Sequence, residues 1–235
     1  MKVALIGYGK MGKTIERILN ERKHEVVATF GRDGIDEEEL KQADLAIEFT
    51  RPEGVFENLA TCFRNQIPVV TGTTGWLAQY DEAVKLCEEN KSAFLFASNF
   101  SLGVNLFFEI NKQLARIMNA YENYDVQMQE IHHTQKLDAP SGTAITLAEQ
   151  VVENLKRKEG WTLEEQHGKQ QIHIDAIREP DVHGTHIITY TSDIDDIEIK
   201  HTAKSRDGFA LGAVIAAEFL KDKTGVYQMK DVLNL

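Results

Sequence analysis

Five short apolar-rich runs recur through the first hundred residues: KVALI (2–6), EVVATF (25–30), DLAIEF (44–49), PVVTG (68–72) and SAFLFA (92–97). Segments of helical periodicity lie between them. MGKTIERILNER (11–22) carries Ile15, Ile18 and Leu19 on one face, and VFENLATCFRN and LAQYDEAVKLCEEN follow in kind. This alternation leaves few folds open, because a strand that is apolar on both faces needs a helix layer on each side. With right-handed crossovers it predicts an α/β, doubly wound parallel sheet.

Beyond residue 101 the grammar changes. A helix over about 104–119 leads into YDVQMQEI (124–131), a strand of polar alternation. TAITLAEQVVENLKR reads as a helix with Ile145, Ala148, Val151, Val152 and Leu155 on one face. QIHIDAIR, THIITYT and IEIKHTA read as strands, and FALGAVIAAEFLK as a last helix. This part is expected to be α+β: an open, mixed or antiparallel sheet with helices on one face.

At 235 residues the chain can build one large or two modest domains. Its formal net charge of -11 argues against non-specific nucleic-acid binding and against anionic membranes, so an anionic ligand needs a local positive pocket. The first apolar run is too short for a secretion signal, and no run approaches the ~20 apolar residues of a membrane helix. Cys62 and Cys87 lack metal-like spacing and read as small buried thiols, which fits a reducing cytoplasm.

GYGKMG sets Gly7, Gly9 and Gly12 as G-x-G-x-x-G directly after a strand and before a helix. In that context Gly7 permits the turn, Gly9 lets a pyrophosphate approach, and Gly12 lets helix and strand pack closely. The helix amides then face the phosphates. The second strand ends in TFGRDG, where Arg32 could hold a 2′-phosphate and Asp33 a free 2′-hydroxyl, or stay a solvated turn charge. Both NADPH and NADH are expected, with NADPH ahead. FTRPEG and TGTTGW leave the C-terminal ends of strands and place Thr50, Arg51, Gly72, Thr73 and Thr74 towards the nicotinamide side, although Arg51 is equally readable as a solvated charge.

EIHHTQKLDAPSGTA (130–144) gathers proton donors and anion holders. His132 and His133 begin a loop after the strand, with side chains pointing in opposite directions. Lys136 reaches the same pocket if the loop curls. Pro140 turns the chain, and Ser141, Gly142 and Thr143 open a helix as an anion cradle. Such a pocket offers two carboxylate-sized holds and one or two acids. His183 and His186 have a spacing that could bind metal, but no third ligand or acid stands nearby in sequence, so they read as a strand-edge pair and no metal site is expected. His167 and His173 read as surface or strand residues, and DIDDIE (193–198) as a solvated turn.

Taken together, GYGKMG, EFTRPEG, TGTTG, ASNFSLGVN, EIHHTQKLDAPSGTA, VHGTH, IKHTAKSRDGFALGAV and GVYQMKDVLNL resemble the 4-hydroxy-tetrahydrodipicolinate reductase (dihydrodipicolinate reductase) family, nearly end to end. The resemblance implies a Rossmann-like nucleotide domain (1–101 and 207–235), completed by the final helix. It also implies a substrate and homotetramerisation domain (102–206), with closure over a small dicarboxylate about hinges near 101 and 207. It makes His132 the acid/base residue and Lys136 the proton donor, with His133, Gly142, Thr143 and Thr74 holding substrate. It puts cofactor contacts on Gly7, Tyr8, Gly9, Lys10, Met11 and Gly12, on Gly72-Thr73-Thr74, and on Ala97-Ser98-Asn99-Phe100. The implied reaction is NAD(P)H-dependent reduction in the diaminopimelate–lysine pathway. An amino-acid dehydrogenase of the diaminopimelate or aspartate type is one alternative, and a nucleotide-sensing protein without turnover another.

Overall fold

In β1 (Lys2–Ile6), Val3 and Leu5 enter one core and Ala4 and Ile6 another, and all four are buried. A strand buried on both faces requires a layer on each side. In the computed structural model, which describes residues 1–205 and 207–235, helices supply both. The chain continues through α1 (Lys10–Glu21), β2 (Glu25–Phe30), α2 (Glu37–Leu40), β3 (Leu45–Glu48), α3 (Pro52–Arg64), β4 (Val69–Thr71), α4 (Tyr80–Glu89) and β5 (Ala93–Phe96). Two compact units form, Met1–Leu102 with Asp207–Leu235, and Gly103–Arg206.

The first unit is completed by the end of the chain: α7 (Asp207–Leu220), β11 (Gly225–Tyr227) and α8 (Met229–Leu233). Its six strands are all parallel in the order β11-β5-β4-β3-β1-β2, a Rossmann-like sheet. On one face α1 brings Ile15, Ile18 and Leu19 against Ala210, Ala213, Val214 and Ala217 of α7. On the other, Val55, Leu59 and Phe63 of α3 meet Ala83 and Cys87 of α4. The small residues of α7 permit close approach: a Cβ on Gly212 would stand 1.7 Å from the Phe100 carbonyl oxygen, which no side chain tolerates. Cys62 and Cys87 are free and buried, and burial pushes the Cys87 thiol up to about 11.

The second unit contains α5 (Leu102–Met118), which starts at the boundary, then β6 (Asp125–His132), α6 (Gly142–Asn154), β7 (Gly160–Thr162), β8 (Gln171–Arg178), β9 (Thr185–Thr191) and β10 (Asp196–Thr202). The strands lie in the order β10-β9-β6-β8-β7, with β6 antiparallel to β9 and parallel to β8, so the sheet is mixed. Period-two alternation turns Val126 and Met128 inward, where they join Ile172, Ile174, Ile188 and Tyr190. Phe107, Ala115 and Met118 of α5, and Leu147, Ala148 and Val151 of α6, complete this core on a single face.

Two boundaries differ from expectation, and four short elements have no counterpart in it. β6 runs on through His132, which is therefore a strand residue rather than the first residue of a loop; its peptide stays in the ladder opposite Arg178. The acidic run 193–198 is only half a turn: Ser192 closes the turn on Asp195, and Asp196 opens β10. β11, β7, α2 and α8 have only three to five residues each, too few to leave a period in the sequence. Among the described residues, no helix is long and apolar enough to cross a membrane.

Candidate functional site

In the first unit, the loops after β1, β3, β4 and β5 leave the same edge, because these four strands are parallel and adjacent. Gly7 has φ +97, and a Cβ there would stand 2.0 Å from the Phe49 carbonyl oxygen. A Cβ on Gly12 would stand 2.3 Å from the Gly7 carbonyl oxygen. Gly9, the N-cap of α1, faces open space, with nothing within 4 Å of an added Cβ. No side chain caps α1 and no acid occupies its first turn, so the amides about Lys10 and Met11 stay available to an anion. These residues fit a nucleotide pyrophosphate. Tyr8 is exposed and donates to Glu16, and Arg32 and Asp33 are exposed on the loop after β2.

Of the other residues expected near a cofactor, Arg51, Thr74 and Ser98 are exposed and Thr50, Gly72 and Asn99 half-buried. The Asn99 side chain accepts the Ser101 N–H at 2.9 Å. Thr73, Ala97 and Phe100 are buried. The Phe100 ring packs on Phe49, centroids 5.8 Å apart, and belongs to the core, which leaves only its backbone for a ligand. A Cβ on Gly72 would meet the Phe49 ring at 2.2 Å. Sequence reasoning assigned nothing to Glu48, a fully buried carboxylate beneath these loops that accepts from the hydroxyls of Thr50, Thr71 and Thr73.

In the second unit, sheet register builds the site. Glu130 lies opposite His186 of β9, and His132 opposite Arg178 of β8. Alternation puts Glu130 and His132 on the face that Val126 and Met128 occupy further along the strand, and all four are buried. The Glu130 carboxylate accepts the Ser141 N–H at 3.0 Å and both Arg178 Nη groups at 3.3 Å. Its Oε2 lies 3.5 Å from His132 Nδ1 and 3.8 Å from His186 Nε2. The two imidazoles meet edge to face, centroids 5.1 Å apart, and Ser141 Oγ is 3.2 Å from His186 Nε2.

In the neighbouring loop the Lys136 N–H donates to the His133 carbonyl at 3.0 Å, and Lys136 Nζ lies 2.9 Å from each Asp138 carboxylate oxygen. Arg178 holds this loop from the sheet, donating to the Asp138 carbonyl at 2.6 Å. Ser141 caps α6, its Oγ accepting the Ala144 N–H at 3.1 Å. Next to it Gly142 is exposed, with open space where a Cβ would be, Thr143 is half-buried, and no acid lies in the first turn. His133 points away from His132, into an open depression of ≈ 490 Å³ that it shares with Thr134, Gln135, Pro180, Asp181 and His183.

Burial sets the protonation of the imidazoles. It pushes His186 down to about 3, with the neighbouring His132 adding to the effect. It also lowers His132, an effect that Glu130 partly offsets and that Lys136 and Arg178 reinforce. Both rings are therefore neutral at pH 7. The expectation of a strand-edge pair at 183 and 186 is corrected: His183 is exposed in the loop, whereas His186 turns inward and finds its acidic partner on another strand. Glu130, His132 and His186 place their donor atoms within 4.8 Å of one another, near enough to share a metal ion. Yet Glu130 already accepts from an amide and from a guanidinium, and that guanidinium opposes a cation.

Residues 1–100 match the family model described as dihydrodipicolinate reductase, N-terminus, and residues 103–233 the one described as dihydrodipicolinate reductase, C-terminus. The chain is 55% identical over 236 residues to the 4-hydroxy-tetrahydrodipicolinate reductase of Christiangramia forsetii, covering 100% of this chain and 98% of that protein. It is 40% identical over 205 residues to the 4-hydroxy-tetrahydrodipicolinate reductase of Neisseria gonorrhoeae, covering 83% and 74% respectively. Among solved structures, a dipicolinate-bound dihydrodipicolinate reductase from Paenisporosarcina sp. TG-14 is similar with a TM-score of 0.77 at 25% identity, over 97% of each chain.

Proposed function

Because this chain belongs to the dihydrodipicolinate reductase family, we propose a division of labour among its residues for that family's reaction. The chain is an NAD(P)H-dependent oxidoreductase that reduces 4-hydroxy-tetrahydrodipicolinate to tetrahydrodipicolinate in diaminopimelate and lysine biosynthesis. The readings as an amino-acid dehydrogenase or a sensor give way to 55% identity over the full chain. The bound nucleotide supplies a hydride. The Gly7–Gly9–Gly12 turn and the α1 amides hold its pyrophosphate, with Tyr8, Lys10 and Met11 beside them. Thr50, Arg51, Gly72, Thr73, Thr74 and the 97–100 segment line its nicotinamide side. Arg32, exposed on its loop, favours the 2′-phosphate, so NADPH is expected to bind more tightly than NADH.

His133, Gly142 and Thr143 hold the carboxylates of the substrate, and Thr74 is assigned to substrate as well. The proton is assigned to Lys136. The observation that carries this choice is the burial of His132: an imidazole held below its ordinary value has no spare proton at neutral pH, whereas an ammonium paired with Asp138 has one. His132 then orients the acceptor and relays the proton.

The test is NADPH consumption with substrate made in situ from pyruvate and aspartate semialdehyde by the preceding synthase. Consumption that requires the synthase supports the reading. Its absence with both nucleotides, or NADP⁺ reduction by aspartate or diaminopimelate, overturns it. Pyridine-2,6-dicarboxylate, the ligand named for the Paenisporosarcina enzyme, is expected to stabilise the chain by about 2.7 kcal/mol at a hundredfold excess over Kd.

The helix-free face of the second sheet carries Ile131 opposite Ile177 of β8, with Ile187 of β9 two residues along, opposite Gln129. We assign it to a homotetramer, so light scattering should give four copies, and a monomer mass would refute this. The free thiols of Cys62 and Cys87 fit a cytoplasmic enzyme.

A further inference from the structure

Glu48 ends β3 and is 0% exposed. An ionised carboxylate can only accept hydrogen bonds, and three threonine hydroxyls supply donors. Oε1 receives Thr50 Oγ1 and, at 3.2 Å, Thr73 Oγ1, while Oε2 receives Thr71 Oγ1. Neighbours set the direction of two of these bonds. Thr73 Oγ1 accepts the backbone N–H of Thr50 at 2.8 Å, and Thr50 Oγ1 accepts from Asn58 Nδ2 at 3.3 Å. Both hydroxyls are thus occupied as acceptors and turn their hydrogens to Glu48, which lies nearer to Thr50 Oγ1 than the Arg51 carbonyl at 3.4 Å. The result is a closed circuit that ties the loop after β3 to the loop after β4.

These two loops carry Thr50, Arg51, Gly72, Thr73 and Thr74, and the inference rests on the reading of that segment as the nicotinamide side. We propose that Glu48 is a positioning residue for the cofactor: a buried charged acceptor that fixes the spacing of the two loops through Thr50 and Thr73, without touching the nucleotide. Burying a carboxylate beneath hydroxyls is unfavourable unless every lone pair is answered, and a tie of packed apolar side chains would fix the spacing less sharply.

The test is a set of folded variants measured for NADPH affinity by nucleotide fluorescence and for both KM values. Glu48→Gln keeps the volume but turns an NH₂ group towards hydroxyls that already need an acceptor. It is expected to raise the Kd and KM for NADPH roughly tenfold, the size of one charge-assisted hydrogen bond. The KM for the dicarboxylate substrate and the affinity for dipicolinate should stay at wild-type values. Thr71→Val, at a buried strand residue outside the cofactor contacts that donates to Glu48, should share the defect, and Thr71→Ser, which keeps the hydroxyl, should not. The double variant Glu48→Gln/Thr71→Val should be no worse than either alone, because both break one circuit.

Wild-type NADPH affinity in folded Glu48→Gln, or fully additive losses in the double variant, would overturn the proposal. If Glu48→Gln does not fold, the contrast between Thr71→Val and Thr71→Ser decides. Failure of the underlying reading looks different: the wild type itself would show no nucleotide binding.

Discussion

Lys136→Ala is expected to lower kcat by about 10²–10⁴-fold, the range for loss of a positioned general acid, with NADPH affinity unchanged. The lysine lies in the second unit, held by Asp138 and by the loop that Arg178 anchors, and the glycine turn and the 50–74 loops belong to the first. His132→Ala is expected to fall in the same range, because its ring is packed against His186 and Gly184 and nothing else occupies that place. The two variants should differ in their response to pH. The residual turnover of Lys136→Ala depends on His132, which Glu130 and Asp138 push up while burial, Arg178 and, in the wild type, Lys136 push down. Its net value lies below the ordinary one, so protonated His132 accumulates only as the solution becomes acidic. Residual activity should therefore rise as pH falls below neutrality. His132→Ala, which retains the lysine, should lack that rise. Stopped-flow NADPH oxidation across pH measures both, and equal loss of NADPH binding in the two variants would contradict the assignment.

The second large effect concerns Glu130. Removing its carboxylate leaves the buried Ser141 amide without its acceptor and takes a carboxylate from the half-buried Arg178 guanidinium, which keeps the Ile177 and Asp138 carbonyls. Leaving a buried donor unsatisfied costs about 1–3 kcal/mol, so Glu130→Ala should melt below the wild type. Glu130→Gln keeps one acceptor oxygen and the volume, and it should fold. It should still lose turnover, because Ser141 and Arg178 set where α6 begins and where the 136–138 loop lies. Without the negative charge His132 drops further, so the acid-side rise of the Lys136→Ala background should move to lower pH when Glu130→Gln is added. Thermal melts and the same kinetics test this; a Glu130→Ala protein as stable and active as the wild type would refute it.

The parallel sheet was legible because its strands are apolar on both faces, a pattern that survives without knowledge of partners. The junction at 130–144 was legible because strand end, loop and helix start are contiguous in the chain. What stayed hidden depends on register or on brevity. His186 and Arg178 join Glu130 and His132 only through the pairing of β9 and β8 with β6, and no local pattern states which residues will face each other. Glu48 was masked by its surroundings, a single acid at the end of an apolar run that reads simply as strand. The sixth strand, three residues long, gave no period at all.

That sixth strand has a consequence for biosynthesis. β5 pairs on one side with β4 and on the other with β11, and α7, which shares one face of the sheet with α1, lies just before β11. At ~5–20 residues per second, the ribosome needs several more seconds after β5 emerges to make the intervening second unit and these last elements. Throughout that interval the nascent N-terminal half exposes an unpaired strand edge and an uncovered apolar surface, both prone to mispairing. The second unit has all its strands and helices in one uninterrupted stretch, so it can mature first and leave the older half of the polypeptide to finish last.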